Sequence, residues 1–458
     1  MNKDTSLKGM IKGLMIDTVP SYANKIYYSL GFLSMTSFMV LIITGVVMVF
    51  EGATWWLTNP VGIYFRSIHL WATQAFVLFI LLHLTIVFLS SGFRNRKLTW
   101  ALGALMFFFV LTEAEFGFLL RGDFSSQWRS LQAADFYNGS GLGNYINTLN
   151  NRQVLGIHIV LIPLLIIILL FFHYLLVKTK GISTPKDDSV KYSIVKADHN
   201  ILFLRGSVLV LLILVLALFF KSPYIMPETI QSIALQDPSL MAQTLISELN
   251  QTSDTATYMD TIDPYSYDTK TVYITSPYES YIKVTKSPDL LYIYDNESKS
   301  AQESNIKQAI NYFNNSNLNT NPDFANPLIT VISSLVVMGQ SGLYQTQLNS
   351  NASLGSTYVT RFLSDTGVMD NKASNMDITT QQYGMVRDEG NSMPVGAWWL
   401  TPLGFLDNTL LASDINQDRD GAVILGLLLL FLIAVPYIPF INEIPEKLKI
   451  NKFIWKTK

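Results

Sequence analysis

Two apolar stretches of nearly the same design decide the fold of this 458-residue chain: RSIHLWATQAFVLFILLHLTI at residues 66–86 and GIHIVLIPLLIIILLFFHYLL at residues 156–176. Each stretch carries a histidine near either end, and the four are His69, His83, His158 and His173. Four of the chain's five histidines thus fall in this arrangement, at spacings of 14 and 15 residues. Ionisable side chains inside apolar spans are rare and usually functional. The repeat therefore predicts a shared function for these four residues.

The composition is that of a polytopic membrane protein. Hydrophobic residues make up 49% of the chain and charged residues 14%, against roughly 25% charged in soluble domains. Six apolar runs reach the roughly 17–25 residues that a helix needs to cross a bilayer, at 27–50, 65–89, 99–120, 153–177, 201–220 and 421–440. The first run is long and lacks a small-residue cleavage site, so we expect no cleaved signal peptide. We expect the lipid bilayer, and no nucleic acid, as a partner.

Cysteine is absent from the chain. Disulfides, cysteine-ligated iron–sulfur clusters and covalent c-type haem attachment are therefore excluded within this chain.

Lysine and arginine are concentrated in four segments that lie on one side of the membrane if the N-terminus is cytoplasmic. They are the N-terminal segment, the connection GFRNRKLTW (92–100), the connection 178–196 and the tail EKLKINKFIWKTK (446–458). Cytoplasmic loops carry this excess of positive charge. We therefore expect a multi-pass plasma-membrane protein with both termini in the cytoplasm.

The other side receives a large insert at 222–420, which holds 22 Asp and Glu against 9 Lys and Arg. The patch TVYITSPYESYIKV (271–284) resembles strands through its β-branched and aromatic residues. The apolar patch PLITVISSLVVM (327–338) is too short to span a membrane and is expected to pack in a core. We therefore expect an acidic extracytoplasmic domain of mixed α/β or mostly β structure.

The spacing of the histidines predicts two stacked sites. On a helix, 14 residues rise about 21 Å and end about 40° short of whole turns, whereas 15 residues overshoot whole turns by about 60°. Both helices run from outside inward, so His69 and His158 share the outer depth (the outer pair) and His83 and His173 the inner depth (the inner pair). Imidazole is a standard axial ligand of haem iron. The pattern predicts two bis-histidine haem sites, although unrelated structural histidines remain an alternative.

Glycines repeat the histidine interval. Gly31 and Gly45 are 14 residues apart, and so are Gly103 and Gly117. Small residues let a flat group or a neighbouring helix approach closely, so the glycines leave room for the same two macrocycles or serve ordinary helix packing.

Arginines stand at the outer boundary of both histidine helices. Arg66 and Arg152 are candidates to pair with haem propionates, or they are boundary arginines whose charged ends reach the water.

The sequence over about 17–185 resembles the cytochrome b family, the membrane subunit of quinol-oxidising bc and b6f complexes. The matching motifs occur in order over about 17–185: VPSYAN (19–24), TG (44–45), RSIH (66–69), FLSSGFRNRKLTWALG (88–103), FGFLL (116–120), HIVLIP (158–163) and HYLLVKTKGISTP (173–185). The 15-residue gap of the fourth helix is similar to the b6 type.

The resemblance implies two haems b, with His69/His158 as axial ligands of the outer haem and His83/His173 of the inner haem. It matches the four glycines to haem-flanking glycines and Arg66 to an arginine beside the propionates. Arg152 is displaced by one residue from the family's arginine. The rest of the chain departs from the family: Leu120 is followed by Arg-Gly-Asp-Phe in place of Pro-Trp-x-Gln, and no Pro-Glu-Trp-Tyr follows the fifth run.

Two carboxylates could replace part of the missing quinol site. Glu113 and Glu115 lie at the outer end of the third run. Each is a candidate acceptor of a quinol proton, or it pairs with Arg121 or Arg129.

The family resemblance implies a quinol oxidoreductase subunit, similar to quinol–cytochrome c reductases, that carries electrons between quinol or quinone and an outer redox partner. The implied partners are a Rieske-type iron–sulfur protein, with a c-type cytochrome or a cupredoxin as further candidates, in a homodimeric complex. Two alternatives stay open. One is a haem relay to a non-Rieske protein without a Q-cycle, and the other is a receptor or structural ectodomain with haem as scaffold.

The predicted fold is an all-α membrane protein: a four-helix haem-binding bundle, two further transmembrane helices and the inserted domain. The predicted division is a cytoplasmic amphipathic segment at 1–26, the di-haem bundle at 27–185, a cytoplasmic loop and fifth helix at 186–221, the acidic domain at 222–420, and the sixth helix with its basic tail at 421–458.

Overall fold

The computed structural model describes residues 16–183, 192–257, 267–315, 326–351, 353–379, 382–383, 386 and 396–455. Most of the predicted N-terminal segment lies outside these residues. Within them, six helices are long and apolar enough to cross a membrane: Leu30–Glu51, Pro60–Leu89, Lys97–Leu119, Asn151–Lys180, His199–Phe219 and Arg419–Tyr437. We refer to them as the first to sixth span. The prediction of an all-α membrane fold is confirmed.

Polar side chains cap the start of three spans, and glycines follow two of them. Asn59 accepts hydrogen bonds from the first amides of the second span, Asn150 from those of the fourth, and Asp198 from an amide of the fifth. These side chains satisfy amides that have no partner inside the helix. Gly52 follows the first span at φ 81° and Gly181 follows the fourth at φ 74°, a left-handed conformation that glycine adopts without steric cost.

The spans pack in pairs. The first span packs on the second and the third on the fourth, while the fifth lies against the first two and the sixth against the third. Buried residues such as Phe38, Phe76, Val110 and Ile166 form the core of the four-span bundle. Large apolar side chains elsewhere on the spans, such as Phe171, stay exposed, as expected of surfaces that face lipid.

Short elements flank the spans. A two-stranded antiparallel sheet pairs Thr18–Pro20 with Ile194–Lys196, with Val19 opposite Val195. The other short helices outside the insert are Ser21–Asn24, Ile26–Tyr28, Ala53–Thr58, Phe124–Gly139, Ile441–Glu443, Ile444–Lys447 and Ile450–Trp455.

The insert is helical in its described part. Its helices are Ile230–Gln236, Pro238–Leu249, Asp254–Thr257, Ser276–Thr285, Leu290–Asp295, Lys299–Asn315, Pro327–Gln340, Leu343–Asn349, Gly355–Asp365, Val368–Asn375, Trp398–Leu400 and Thr401–Asn408. Pro327–Gln340 runs through its core, and Leu328, Val331 and Leu335 are fully buried there. The prediction that 327–338 packs in a core is confirmed. This helix and Leu343–Asn349, bent by 88°, would count as a seventh span by length and composition alone.

The predicted mixed α/β or mostly β structure of the insert is wrong for the described residues. The stretch 271–284 forms a π-helical turn, Thr271–Thr275, that continues into the helix Ser276–Thr285. Ile274 and Tyr278 are buried and Ile282 packs against the same core. A spacing of four residues places these three side chains on one helical face. Burial of that face outweighs the weak strand preference of the β-branched residues.

Candidate haem-binding sites

Each of the four glycines faces one of the four histidines. A Cβ atom built on Gly45 would lie 3.5 Å from His69, and one on Gly117 would lie 2.7 Å from His158. The inner positions repeat the pattern, with distances of 3.3 Å from Gly31 to His83 and 3.4 Å from Gly103 to His173. The first span thus presents its glycines to the second, and the third span to the fourth. Glycine lets these imidazole rings lie directly against a neighbouring helix backbone.

The structure brings the outer pair together. The ring centres of His69 and His158 are 6.3 Å apart, and the ring planes meet at 72°. In the inner pair, His83 and His173 are electrostatic neighbours. The first histidine of the second span therefore meets the first of the fourth, and the second histidines are close enough to interact electrostatically.

Thr44 fixes the tautomer of His69. The Thr44 Oγ1 donates its one hydrogen to the Val40 carbonyl at 2.7 Å, and the same oxygen lies 2.9 Å from His69 Nδ1. A hydroxyl that has used its hydrogen can only accept, so Nδ1 carries the proton. The lone pair of His69 is then on Nε2, which is the form that binds a metal.

A π-helical segment explains the unequal spacing of the two histidine pairs. The fourth span contains a π segment at Ile157–Leu161, which includes His158. Pro163, near the start of the α-helix that follows, has no N–H to donate to the carbonyl four residues before it. A π turn closes on the fifth residue instead of the fourth and so absorbs one extra residue. The 15-residue gap therefore has the phase of a 14-residue α-helical gap, like that of the second span.

Comparisons with known proteins identify the family of the chain. A sequence model of the family "Cytochrome b(N-terminal)/b6/petB" matches residues 74–232. Cytochrome b6 of Heliomicrobium gestii is 30% identical over 192 residues, which are 36% of this chain and 89% of that protein. The chain belongs to the cytochrome b/b6 family. Cytochrome b6 of Synechococcus elongatus is 29% identical over 190 residues, covering 36% of this chain and 88% of the relative.

Similarity to a solved structure is lower. A chain of a structure titled "Hyperthermophilic respiratory Complex III" matches with a TM-score of 0.37 and 16% identity, over 74% of this chain and 96% of that chain. That TM-score is too low to establish a shared overall fold.

Haem b is the cofactor of the cytochrome b family, and the outer pair fits it. Metal–imidazole bonds are about 2.0–2.1 Å long, and the nitrogens of a ring with bonds of about 1.33 Å lie roughly 1.1 Å from its centre. Two imidazoles on opposite sides of one metal would therefore have centres about 6.2–6.4 Å apart, and the observed distance is 6.3 Å. Among the described residues, no group of three or more His, Cys, Asp or Glu could hold a metal ion. Two imidazoles per site are enough for a haem, because the porphyrin itself supplies the other ligands of the iron.

Arg66, the predicted propionate partner, belongs to a buried cluster of charges. Its Nη2 lies 3.3 Å from Asp123 Oδ2, and Arg121 Nη2 lies 2.6 Å from the same oxygen. Both arginines also donate to the Pro223 carbonyl, at 2.9 and 3.2 Å. The cluster therefore binds the second span to the chain that follows the fifth. Arg152, the second predicted propionate partner, is exposed in the first turn of the fourth span.

The two predicted proton acceptors have different surroundings. Glu115 makes a two-point ion pair with Arg129, at 2.7 and 2.5 Å. Glu113 Oε1 instead lies 2.9 Å from His158 Nδ1. Glu115 therefore forms the ion pair with Arg129 that the sequence offered as an alternative. Glu113 instead contacts His158, a predicted haem ligand.

Sequence reasoning missed the role of Thr44, Asp123 and the π segment. The TG motif at 44–45 carried the signal for Thr44, because its residues flank a glycine of the histidine interval. A proline five residues after His158 is the corresponding signal for the π segment. Asp123 gave no signal, since its partners come from distant parts of the chain.

Proposed function

We propose that this protein is a di-haem cytochrome b subunit of a quinol-oxidising respiratory complex. It carries electrons across the membrane between quinol or quinone and a redox partner on the outer side. The observation that carries this proposal is the outer pair, whose ring separation suits two axial ligands of one metal. The matching contacts of all four glycines with the four histidines support the same arrangement at the inner depth.

Bound haem b supplies a one-electron Fe(III)/Fe(II) couple. The chain's own residues position it: each histidine provides a nitrogen, each glycine lets the ring lie against a neighbouring span, and Thr44 keeps the proton of His69 on Nδ1. The two histidines of the second span lie 14 residues apart, about 21 Å along the helix axis. That separation covers much of a hydrocarbon core of about 30 Å, so the two positions suit transfer across the membrane.

Glu113 is the better candidate for accepting a quinol proton. Its Oε2 is buried and has no hydrogen-bond partner among the described residues. Glu115 is committed to Arg129 at both oxygens. We propose that a quinol hydroxyl transfers its proton to Glu113. Unchanged quinol-driven haem reduction after Glu113→Gln and Glu115→Gln together would contradict a role for either carboxylate.

Haem content tests the main proposal. The purified chain is expected to show two b-type haems in its reduced-minus-oxidised spectrum. His69→Ala and His83→Ala should each remove one of them, and the double variant both. His199→Ala is the matched control, because this histidine begins the fifth span and belongs to neither pair. A chain without b-type haem, or one whose spectrum survives the double variant, would exclude the electron-transfer function.

We further propose that the complex sits in the plasma membrane, contains a Rieske-type iron–sulfur protein and forms a homodimer. A c-type cytochrome or a cupredoxin would then receive the electrons. Copurification of an iron–sulfur subunit with a Rieske signature tests this assignment.

One observation favours a second candidate, a haem relay to a different outer protein without a Q-cycle. Arg121 and Asp123, which form a buried ion pair, stand where the family continues its quinol-oxidising pocket. If quinol reduces the haems while no iron–sulfur subunit copurifies, and inhibitors act only at the inner side, the relay is the function.

A further inference from the structure

Glu113 and Gly117 lie on the same face of the third span. They are four residues apart, and residues at this spacing are neighbours on a helix surface. Both meet His158: Gly117 lies against Cε1 of the ring, and Glu113 Oε1 lies 2.9 Å from Nδ1. The glycine makes space for the ring beside the third span, and that position brings Nδ1 to the carboxylate.

The surroundings of this contact are mostly closed to solvent. The side chains of His158 and Glu113 are 19% and 18% exposed. The distance is that of a hydrogen bond, and His158 Nδ1 has no other hydrogen-bond partner among the described residues. An ionised carboxylate can only accept. Nδ1 must then be the donor, which leaves the Nε2 lone pair for iron.

The opposite ligand of the same pair has a different partner. His69 Nδ1 meets the neutral hydroxyl of Thr44 at 2.9 Å. The two ligands of the outer pair are therefore supported unequally, by a hydroxyl on one side and a carboxylate on the other. Ligating histidines donate their other N–H to such groups, which fixes the ring and raises its basicity.

We infer that Glu113 is the positioning residue of His158: it accepts the Nδ1 proton, orients the ring toward the metal and makes it the more electron-rich ligand of the outer haem. This inference rests on the proposed di-haem function. An electron-rich axial ligand favours ferric iron, and hydrogen bonding around the axial ligand tunes haem potential. Glu113 therefore lowers the midpoint potential of the outer haem and leaves that of the inner haem unchanged.

The test is a potentiometric titration of both haems in membranes, with low-spin electron paramagnetic resonance of each. In Glu113→Leu the outer haem should become easier to reduce by about tenfold, which is about 59 mV for one electron. Glu113→Gln keeps an accepting oxygen, so it should restore the wild-type ligand geometry with a smaller rise in potential. Glu51→Gln is the matched control, because Glu51 is exposed at the end of the first span and its change should move neither haem.

The outcomes separate the two proposals. A wild-type protein without two b-type haems would contradict the proposed function itself. Two haems present in Glu113→Leu with wild-type potentials would overturn the role of Glu113 alone. If Glu113→Leu loses the outer haem, Glu113→Gln decides: a shifted outer potential supports the inference, and an unchanged potential with an unchanged resonance overturns it.

Discussion

Gly117 has the least room of the four glycines that face histidines. A methyl group there would lie 2.7 Å from His158 Cε1, whereas one at Gly45 would lie at an ordinary contact distance of 3.5 Å from His69. We expect Gly117→Ala to lower the occupancy of the outer haem several-fold and Gly45→Ala to leave it close to wild type. Haem per protein in the purified variants measures both effects.

Gly426→Ala is the control for this comparison. It lies in the sixth span with no atom near the added methyl group, so it should retain both haems. Equal haem content in Gly117→Ala and Gly45→Ala would show that the ring of His158 moves freely and that Gly117 does not seat it.

Glu248 makes the stability of the insert depend on pH. Burial, and then the charge of Asp365, raise the pKa of Glu248 from 4.5 to about 9. Burial also raises the pKa of Asp365, while Arg361 opposes this rise. The folded state thus holds a proton between about pH 4.5 and 9, where the unfolded state has released it. Stability is full below this window and falls as the pH rises through it.

We therefore expect the thermal unfolding temperature of the insert to fall from pH 5 to pH 9, and Glu248→Gln to flatten this decline because its side chain stays neutral. Circular dichroism of the detergent-solubilised full chain measures the transition. Glu279→Gln is the matched control, since Glu279 is exposed and should keep the wild-type decline. A decline of wild-type steepness in Glu248→Gln would exclude this residue as its source.

At the scale of elements, the π segment decides whether the fourth span tolerates a shorter gap. Deleting Val160 removes one residue from Ile157–Leu161. The segment can then close as an ordinary α-helix, and both histidines keep their faces. We expect the deletion variant to retain two b-type haems in its reduced spectrum.

Deleting Leu78 from the second span is the comparison. It shortens the regular gap between His69 and His83, where no extra residue can be absorbed, and rotates the two histidines about 100° relative to each other. This variant should lose at least one haem. Loss of haem in the Val160 deletion, with a folded insert, would contradict the absorption of a residue by the π segment.

At the scale of the whole molecule, Asp123 joins the bundle to the chain entering the insert. It is fully buried between two arginines that also hold the Pro223 carbonyl. It also caps the helix Phe124–Gly139 by accepting from the Ser126 amide. Asparagine can provide the same cap, so Asp123→Asn removes only the charge. We expect a loss of about 3–5 kcal/mol in the free energy of unfolding, as for other buried pairs that lose one partner.

Chemical unfolding of the solubilised chain measures this loss. Asp295→Asn is the control, because Asp295 pairs with Lys270 at the surface with about a third of each side chain exposed, and such pairs contribute about 1 kcal/mol or less. Similar losses in both variants would show that the buried cluster does not hold the two parts together.

Features that depend on neighbouring residues could be predicted from the sequence, whereas features that depend on contacts between distant segments could not. The six spans and the faces of the four histidines depend on apolar runs and helical period, which act over a few residues. The insert differs, because alternating apolar and β-branched residues such as those of 271–284 suit a strand or a helix equally well until a core selects one face. The helices of the insert therefore could not be predicted from the local sequence pattern. The core position of 327–338 could, because that stretch is mostly apolar.

The sequence by itself determined the membrane-spanning helices and the helix faces that carry the histidines and the glycines, since each depends on spacing along one helix. Only the tertiary structure decided which groups support those residues. Arg66 reaches Asp123 across 57 positions, and Arg121 reaches Pro223 across 102. Glu113 meets His158 only because the third and fourth spans pack together. Contacts between distant segments arise from packing, and no local periodicity encodes them.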